Sequence, residues 1–236
     1  MTPSSRPRRC LVFALLLAAS TLPASAATLT VTSPLESGAG TLRQALFDAD
    51  PGDTIVFDLP FPAVLHVSIG AYTLDTPVTI VGPGADDLVL DASGNAQSTF
   101  IVPPGGSAEI SRLTLRNSSA GAVRNGGTLT MRDMVFEDNR TPIGGGSGGA
   151  ILNTGVLAVS DSHFRGNSGS SSAGALFSNG SATIERCSFI DNDSPDGGAI
   201  VNDGTMTVAR ARFPVTSPSS CTAVPAAPSA TTRRWN

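Results

Sequence analysis

Apolar and polar residues alternate along the C-terminal half of the chain, in short segments that recur at a regular interval. Aligning these segments on a glycine places a large apolar residue nine positions after it in every copy. The aligned glycines are Gly106, Gly127, Gly155, Gly180 and Gly204, and the apolar residues are Leu115, Phe136, Phe164, Phe189 and Phe213. Because alternation of period two is typical of strands and a repeat of about two dozen residues is typical of solenoids, the pattern predicts stacked β-coils.

Each copy contains three predicted strands. The first follows the glycine, where Leu129 and Met131 lie two positions apart between polar neighbours. The second ends at the large apolar residue, and the third contains a Gly-Ala-apolar element such as Gly149, Ala150 and Ile151. Since no coil can bury its apolar side alone, like residues must stack on like. The sequence therefore predicts an all-β, right-handed parallel β-helix with an interior ladder of phenylalanines.

Asparagines recur at two places in the repeat. One set lies three positions after the phenylalanine, and the other set follows the third predicted strand. The first set is Asn139, Asn167 and Asn192, and the second is Asn125, Asn153, Asn179 and Asn202. Because asparagine tolerates left-handed backbone and its amide both donates and accepts, we expect these residues to occupy left-handed turns and to share amide hydrogen bonds along the stack.

The N-terminal part of the chain follows a different pattern. Residues 27–60 are predicted to form a cap, ahead of coils over residues 61–213. The apolar residues that share one face of a predicted helix within Gly40–Ala49 are Leu42, Ala45, Leu46 and Ala49. An amphipathic helix of this kind covers the sheet edge and the apolar core at the end of a solenoid. The segments Thr76–Gly84 and Asp87–Gly94 are predicted to be early, less regular coils.

Residues 1–26 are predicted to be a cleaved signal peptide. Three arginines precede the apolar run Leu11–Ala19, and Ala24, Ser25 and Ala26 fit a small-residue cleavage site. The apolar run is too short to span a bilayer, and no later run is long enough to form a transmembrane helix. Removal of the three arginines leaves an excess of acidic residues, which argues against nucleic acid and anionic membranes as partners.

Two parts of the sequence carry a resemblance to a known group. GAGTLRQALFDADPGDTIVFD begins at Gly38, and the repeat contains FEDN at Phe136 and GGAI at Gly197. In these stretches the chain resembles the exported β-helix proteins of the polymorphic outer-membrane protein type, which have pectate-lyase-like folds. The resemblance covers about residues 28–213. It implies an extracellular, cell-surface or outer-membrane location, and it implies structural rather than catalytic roles for the motifs.

The repeat stops after Phe213. Residues 214–236 contain no glycine and no acidic residue, and they hold the single tryptophan, Trp235. One interpretation is a frameshift or premature stop that truncates a longer β-helix, and this is the one we favour. The other is a disordered tail rich in Pro, Ser, Thr and Ala. Sequencing the locus in independent isolates would distinguish the two.

Charged residues form no recognisable catalytic motif. The position six after the aligned glycine, which we interpret as an exposed strand face of mixed sign, holds Arg112, Asp133, Asp161, Arg186 and Arg210. Asp191, Asp193 and Asp196 crowd one turn, where carboxylates suit Ca²⁺. Their spacing departs from that of an EF-hand, so a polar turn is the preferred interpretation.

The remaining candidate groups are two histidines and two cysteines. His66 and His163 have no nucleophile or metal-ligand cluster at a useful spacing, and both are predicted to be structural or exposed. Cys187 falls at a small interior position and is predicted to be a buried, inert thiol. A disulfide with Cys221 would require the unrepeated tail to fold back, and we do not expect one.

The sequence therefore assigns no catalytic, cofactor-binding or metal-binding residue, and it predicts no cofactor. The predicted function is non-enzymatic adhesion, binding or structural support by an exported β-helix, with cell-surface glycans or proteins as partners. Two alternatives stay open: a polysaccharide lyase or hydrolase on the same fold, and a non-functional fragment of a longer protein. A row of carboxylates repeated across the coils would favour the enzyme.

Overall fold

The computed structural model describes residues 26–142, 148–195 and 198–214, together with the backbone of 224–225. The predicted signal peptide, apart from Ala26, lies outside the described residues. So does the predicted tail, apart from Pro214 and the backbone of 224–225.

Short strands make up nearly all of the regular structure, as the alternating pattern predicts. The first ten strands are β1 (Thr28–Val31), β2 (Thr54–Phe57), β3 (Ala63–His66), β4 (Tyr72–Thr73), β5 (Val78–Val81), β6 (Leu88–Asp91), β7 (Phe100–Val102), β8 (Ser107–Ser111), β9 (Thr114–Arg116) and β10 (Val123–Asn125). The others are β11 (Thr128–Arg132), β12 (Val135–Glu137), β13 (Ile151–Asn153), β14 (Val156–Ser160), β15 (His163–Arg165), β16 (Leu176–Ser178), β17 (Ser181–Glu185), β18 (Ser188–Ile190), β19 (Ile200–Asn202), β20 (Thr205–Ala209) and β21 (Val224–Pro225).

The strands form three parallel sheets that run along the whole described body. Sheet A has the order β1-β2-β5-β8-β11-β14-β17-β20, sheet B has β3-β6-β9-β12-β15-β18, and sheet C has β4-β7-β10-β13-β16-β19-β21. Within the coils, each strand pairs in parallel with the equivalent strand of the next coil, as β11 pairs with β14 and β14 with β17. The protein is thus an all-β parallel β-solenoid of about seven coils, which confirms the predicted fold class.

Apolar side chains point inward from all three sheets and stack on their equivalents in neighbouring coils. Phe136, Phe164 and Phe189 are buried, and the rings of consecutive members lie nearly parallel, with centroids 4.5 and 4.7 Å apart. Phe213 continues the stack at 5.0 Å but is only partly buried. Leu115 precedes Phe136 in register. The predicted phenylalanine ladder is confirmed.

The first set of asparagines forms a buried hydrogen-bonded ladder. The amide of Asn139 donates to Oδ1 of Asn167, and that of Asn167 donates to Oδ1 of Asn192, at 3.0 and 2.8 Å. Contrary to expectation, these asparagines do not have left-handed backbone. The residue just before each one does, as at Asp138 and Asp191, where φ is +52°. The ladder residue itself turns inward, because its side chain must reach the main chain of the adjacent coils.

The second ladder differs from the prediction at one residue. Asn125 donates to Oδ1 of Asn153 at 2.8 Å, and Asn153 donates to Oγ of Ser178 at 2.9 Å. Ser178 pairs in register with both Asn153 and Asn202, whereas Asn179 is exposed. The predicted place of Asn179 in the ladder is therefore wrong. Strand pairing sets the register, and it leaves the neighbouring residue pointing outward.

The aligned glycines are explained by the close approach of successive coils. A Cβ on Gly155 would lie 2.1 Å from the carbonyl oxygen of Gly127, and one on Gly180 would lie 2.2 Å from that of Gly155. Each of the five glycines directly precedes the first residue of a sheet A strand, at the corner where the backbones of neighbouring coils pass. The recurring glycine is therefore a steric requirement of the stack.

One helix, α1 (Leu42–Asp48), is present in the described part of the chain. Thr41 caps it by accepting a hydrogen bond from the backbone N–H of Gln44 at 3.2 Å. Leu42 and Ala45 are buried in the core, while Phe47 faces solvent. The predicted helix and its apolar face are thus observed. That α1 serves to cap the solenoid stays a prediction.

Polar contacts join α1 and the loop that precedes it to β4 and to the segment between β3 and β4. The guanidinium of Arg43 lies over the ring of Tyr72, 4.6 Å from its centroid, and donates to the Gly70 carbonyl at 2.9 Å. Glu36 accepts a hydrogen bond from the Ser68 hydroxyl at 2.7 Å. Burial raises the pKa of the Tyr72 phenol to about 12, so the phenol stays neutral beside the arginine.

Candidate functional site

The charged residues at the position six after each glycine lie in turns, not on a strand face. Arg112, Asp133, Asp161, Arg186 and Arg210 each have left-handed backbone, with φ between +52° and +63°. They stand where the chain leaves sheet A and enters sheet B. The predicted exposed strand face is therefore wrong for this position. A left-handed turn tolerates several polar residue types, which accounts for the mixed charge.

Two of these turn residues bind each other across neighbouring coils. Arg186 donates from Nε and Nη2 to the two carboxylate oxygens of Asp161, at 2.6 and 2.8 Å, and also forms an ion pair with Glu185. Hydrogen bonding from Arg186 holds the pKa of the Asp161 carboxyl below its ordinary value. The bidentate pair ties the turns of adjacent coils and keeps the carboxylate ionised.

A second charged feature, an alternating row on the outer face of sheet B, was not anticipated from the sequence. Its members, in register on consecutive strands, are His66, Asp91, Arg116, Glu137 and Arg165. Arg116 Nε lies 2.8 Å from Asp91, and Arg165 Nε lies 2.9 Å from Glu137. Each member directly follows the inward-pointing residue of its strand. That offset, read across the aligned repeats, is the signal that would have revealed the row.

Asp91 is the most strongly perturbed carboxylate of this row. It is 6% exposed, and it accepts hydrogen bonds from Ser93, Arg116 and Asn117. Burial opposes its ionisation, but these hydrogen bonds outweigh burial and lower the pKa of Asp91 to about 2. A carboxyl that acts as a general acid near neutral pH needs a raised pKa. Asp91 has the opposite property and serves as a fixed anion between coils.

The acidic turn after Phe189 does not form a metal cluster among the residues described. Asp191 and Asp193 are exposed, with the buried ladder residue Asn192 between them, and Asp196 lies outside the described residues. No group of three or more His, Cys, Asp or Glu side chains suited to a metal ion occurs in the described part of the chain.

The histidines and the described cysteine are where the sequence placed them. His66 and His163 lie on outward-facing positions of sheet B, and His163 Nδ1 is 2.6 Å from the Ser188 hydroxyl. Cys187 is buried, with its sulfur 3.4 Å from the Glu185 carbonyl oxygen. Burial raises the pKa of the Cys187 thiol to about 11, so it is protonated at neutral pH. Cys221 lies outside the described residues.

Taken together, the charged side chains of sheet B and of the turns after sheet A hold coils to one another. Three of their carboxylates, those of Asp91, Glu137 and Asp161, are paired with an arginine on the adjacent coil. Among the described helices, none is long and apolar enough to cross a membrane. No protein-family model matches the chain, and no curated protein matches it either.

Proposed function

We propose that the protein is exported and acts without catalysis, as an adhesive or structural β-solenoid at the cell surface or outer membrane. The observation that carries the proposal is the pairing of carboxylates with arginines in adjacent coils, at Asp91–Arg116, Glu137–Arg165 and Asp161–Arg186. In this proposal the charged groups join successive coils to one another and do not act on a substrate. The stacked coils then offer long outer sheet faces that suit contact with cell-surface glycans or proteins.

Export is supported by the N-terminal basic and apolar segments and by the resemblance to polymorphic outer-membrane proteins. Expressing the full chain in a Gram-negative host and fractionating the cells tests this part. We expect a form shortened by the predicted signal peptide in the periplasm, the outer membrane or the medium. An unprocessed cytoplasmic product would refute export.

The non-catalytic role is tested by measuring binding and turnover on the same samples. The purified chain is applied to a glycan array and to immobilised extracellular-matrix proteins, and soluble polysaccharides are assayed in parallel for new reducing ends and for unsaturated products. We expect retention without product. Product that disappears in Glu137→Gln or Asp161→Asn would instead favour a polysaccharide lyase or hydrolase.

A further inference from the structure

The outer face of sheet A carries a row of threonines in register. At one position of the eight strands, six residues are threonine: Thr28, Thr54, Thr79, Thr130, Thr183 and Thr207. Glu109 and Ala158 take this position in β8 and β14. All six threonines are exposed or half-buried. Within the part of the chain that the structure describes, none of their hydroxyls is hydrogen-bonded to a protein group.

A second row of hydroxyls runs beside the first. Thr128, Ser181 and Thr205 lie two residues earlier on their strands and are exposed, so three of the C-terminal strands present a pair of hydroxyls each. Strands in a sheet are about 4.8 Å apart, and residues two apart on one strand are separated by about 6.6 Å. On β11, β17 and β20 the two rows thus form a grid of hydroxyls, which β14 interrupts with Val156 and Ala158 at the equivalent positions.

The grid is held rigidly. The residues between the two hydroxyls of a strand, such as Leu129 and Ala182, point inward and are buried. Threonine is β-branched, so its χ1 angle is restricted in a strand. Little side-chain entropy remains to be lost when a surface binds to such a face.

The chemistry of the face limits what it can recognise. At the threonine position Glu109 is the single charged residue, so this row offers little to an ionic partner. The other charged residues on outward positions of the described sheet A strands are Arg132 and Glu185, two residues after Thr130 and Thr183. Among the described strands, no outward position of sheet A holds an aromatic ring on which a sugar could stack. A hydroxyl both donates and accepts, as a water molecule does, and the threonine methyl adds apolar contact between hydroxyls.

We propose that the threonine face of sheet A binds ice. An ice surface is a rigid, uncharged lattice in which every water molecule donates and accepts hydrogen bonds. A grid of hydroxyl and methyl groups with restricted side-chain freedom suits such a lattice, because each hydroxyl can take the place of a water in either role. This partner differs from the cell-surface glycans and proteins of the adhesion proposal, and the two are tested independently.

The first test measures how much of the purified full chain is incorporated into ice grown slowly from buffered water. We expect enrichment in the ice fraction relative to a non-binding protein of similar size. Thr183→Arg, which places a hydrated charge in the grid, should lower the incorporated fraction about tenfold or more, as the loss of one good contact does. The matched control is Thr73→Arg, at an exposed position of sheet C, which should leave incorporation unchanged.

A gain of function provides the second test. Ala158→Thr would join Thr130 to Thr183 and Thr207 in an unbroken run, so we expect incorporation and thermal hysteresis to rise above those of the native chain. Circular dichroism and urea unfolding confirm that each variant is folded. The proposal is overturned if the native chain is not enriched in ice. It is also overturned if the two arginine variants lose incorporation equally, or if the folded Ala158→Thr variant shows no gain.

Discussion

The side-chain amide of Asn139 donates to Oδ1 of Asn167, one coil ahead, at 3.0 Å, and to the carbonyl oxygen of Leu115, one coil back, at 2.9 Å. Its own Oδ1 accepts from the backbone N–H of Ser118 at 3.1 Å. One buried side chain thus joins three coils. The same geometry recurs at Asn167, so the interior turn of the solenoid is held by side chains that satisfy main-chain groups.

Removing one member of this ladder should destabilise the protein strongly. In Asn167→Ala the backbone N–H of Asn139 and the carbonyl of Phe136 lose buried partners, at a cost of about 1–3 kcal/mol for each group. Urea unfolding followed by circular dichroism measures the change. Asn179→Ala, at an exposed position outside the ladder, is the control and should change the free energy of unfolding by less than about 0.5 kcal/mol. Equal effects of the two variants would contradict the ladder.

The phenylalanine stack should contribute more to the free energy of unfolding than apolar side chains of the same volume would. Phe164 lies between two nearly parallel rings, so Phe164→Leu removes both ring contacts while keeping an apolar side chain, and we expect a loss of about 1–2 kcal/mol. Phe164→Ala should lose about 3–5 kcal/mol. Phe177→Leu, at a half-buried outward position of β16, serves as the comparison. A loss in Phe164→Leu no larger than in Phe177→Leu would show that ring stacking adds nothing.

The glycines that directly precede the sheet A strands should not tolerate replacement by alanine. In Gly180→Ala the new Cβ would meet the Gly155 carbonyl oxygen at 2.2 Å, so the backbone of two coils must separate. We expect a loss of about 1–3 kcal/mol, typical of overpacking. Ser181→Ala, one residue later and exposed, is the control. Thermal unfolding of the two variants side by side decides the point, and a stable Gly180→Ala would contradict the close approach.

The free energy of unfolding should decrease at acidic pH because Asp91 becomes protonated. The folded-state pKa of Asp91, about 2, lies below its ordinary value, so its ionised form is favoured by folding. This contribution, about 2 kcal/mol, is fully present above about pH 4 and is lost as the pH falls through 2. Asp91→Asn should therefore unfold at lower urea concentration than the native chain at pH 7, with the difference vanishing near pH 2. A difference independent of pH would exclude this ionisation as the cause.

The thiol of Cys187 should be unreactive in the folded protein. Burial and a pKa of about 11 leave almost no accessible thiolate at pH 7.5. In a chain carrying Cys10→Ser and Cys221→Ser, labelling by a maleimide should be slow until urea unfolds the protein. Cys187→Ser provides the blank. Rapid labelling under native conditions would show that the thiol is exposed.

The recurring glycines and phenylalanines show how much the sequence could predict. Gly155 and Phe164 are required by backbone approach and by ring stacking, and these requirements act identically in each coil, so the residues repeat in sequence. The inward-facing positions of the strands are likewise visible in the sequence, as an alternation of apolar and polar residues. These local demands were enough to predict a parallel solenoid of three strands per coil, and the structure confirms that fold.

The register of the outer positions was decided by the tertiary structure alone. Outward side chains are free to vary, and Asp91 precedes the regular repeat, so the pattern did not align Asp91 with Arg116. Ser178 is different, because it lies four residues after Gly174, the same offset that separates Asn153 from Gly149, and the repeat therefore did mark it. Loop lengths differ between coils, and only the pairing of distant strands brings residues such as Asp91 and Arg116 within reach. Interior packing repeats because every coil meets the same constraint, whereas outer rows of charge and hydroxyl depend on which coils become neighbours.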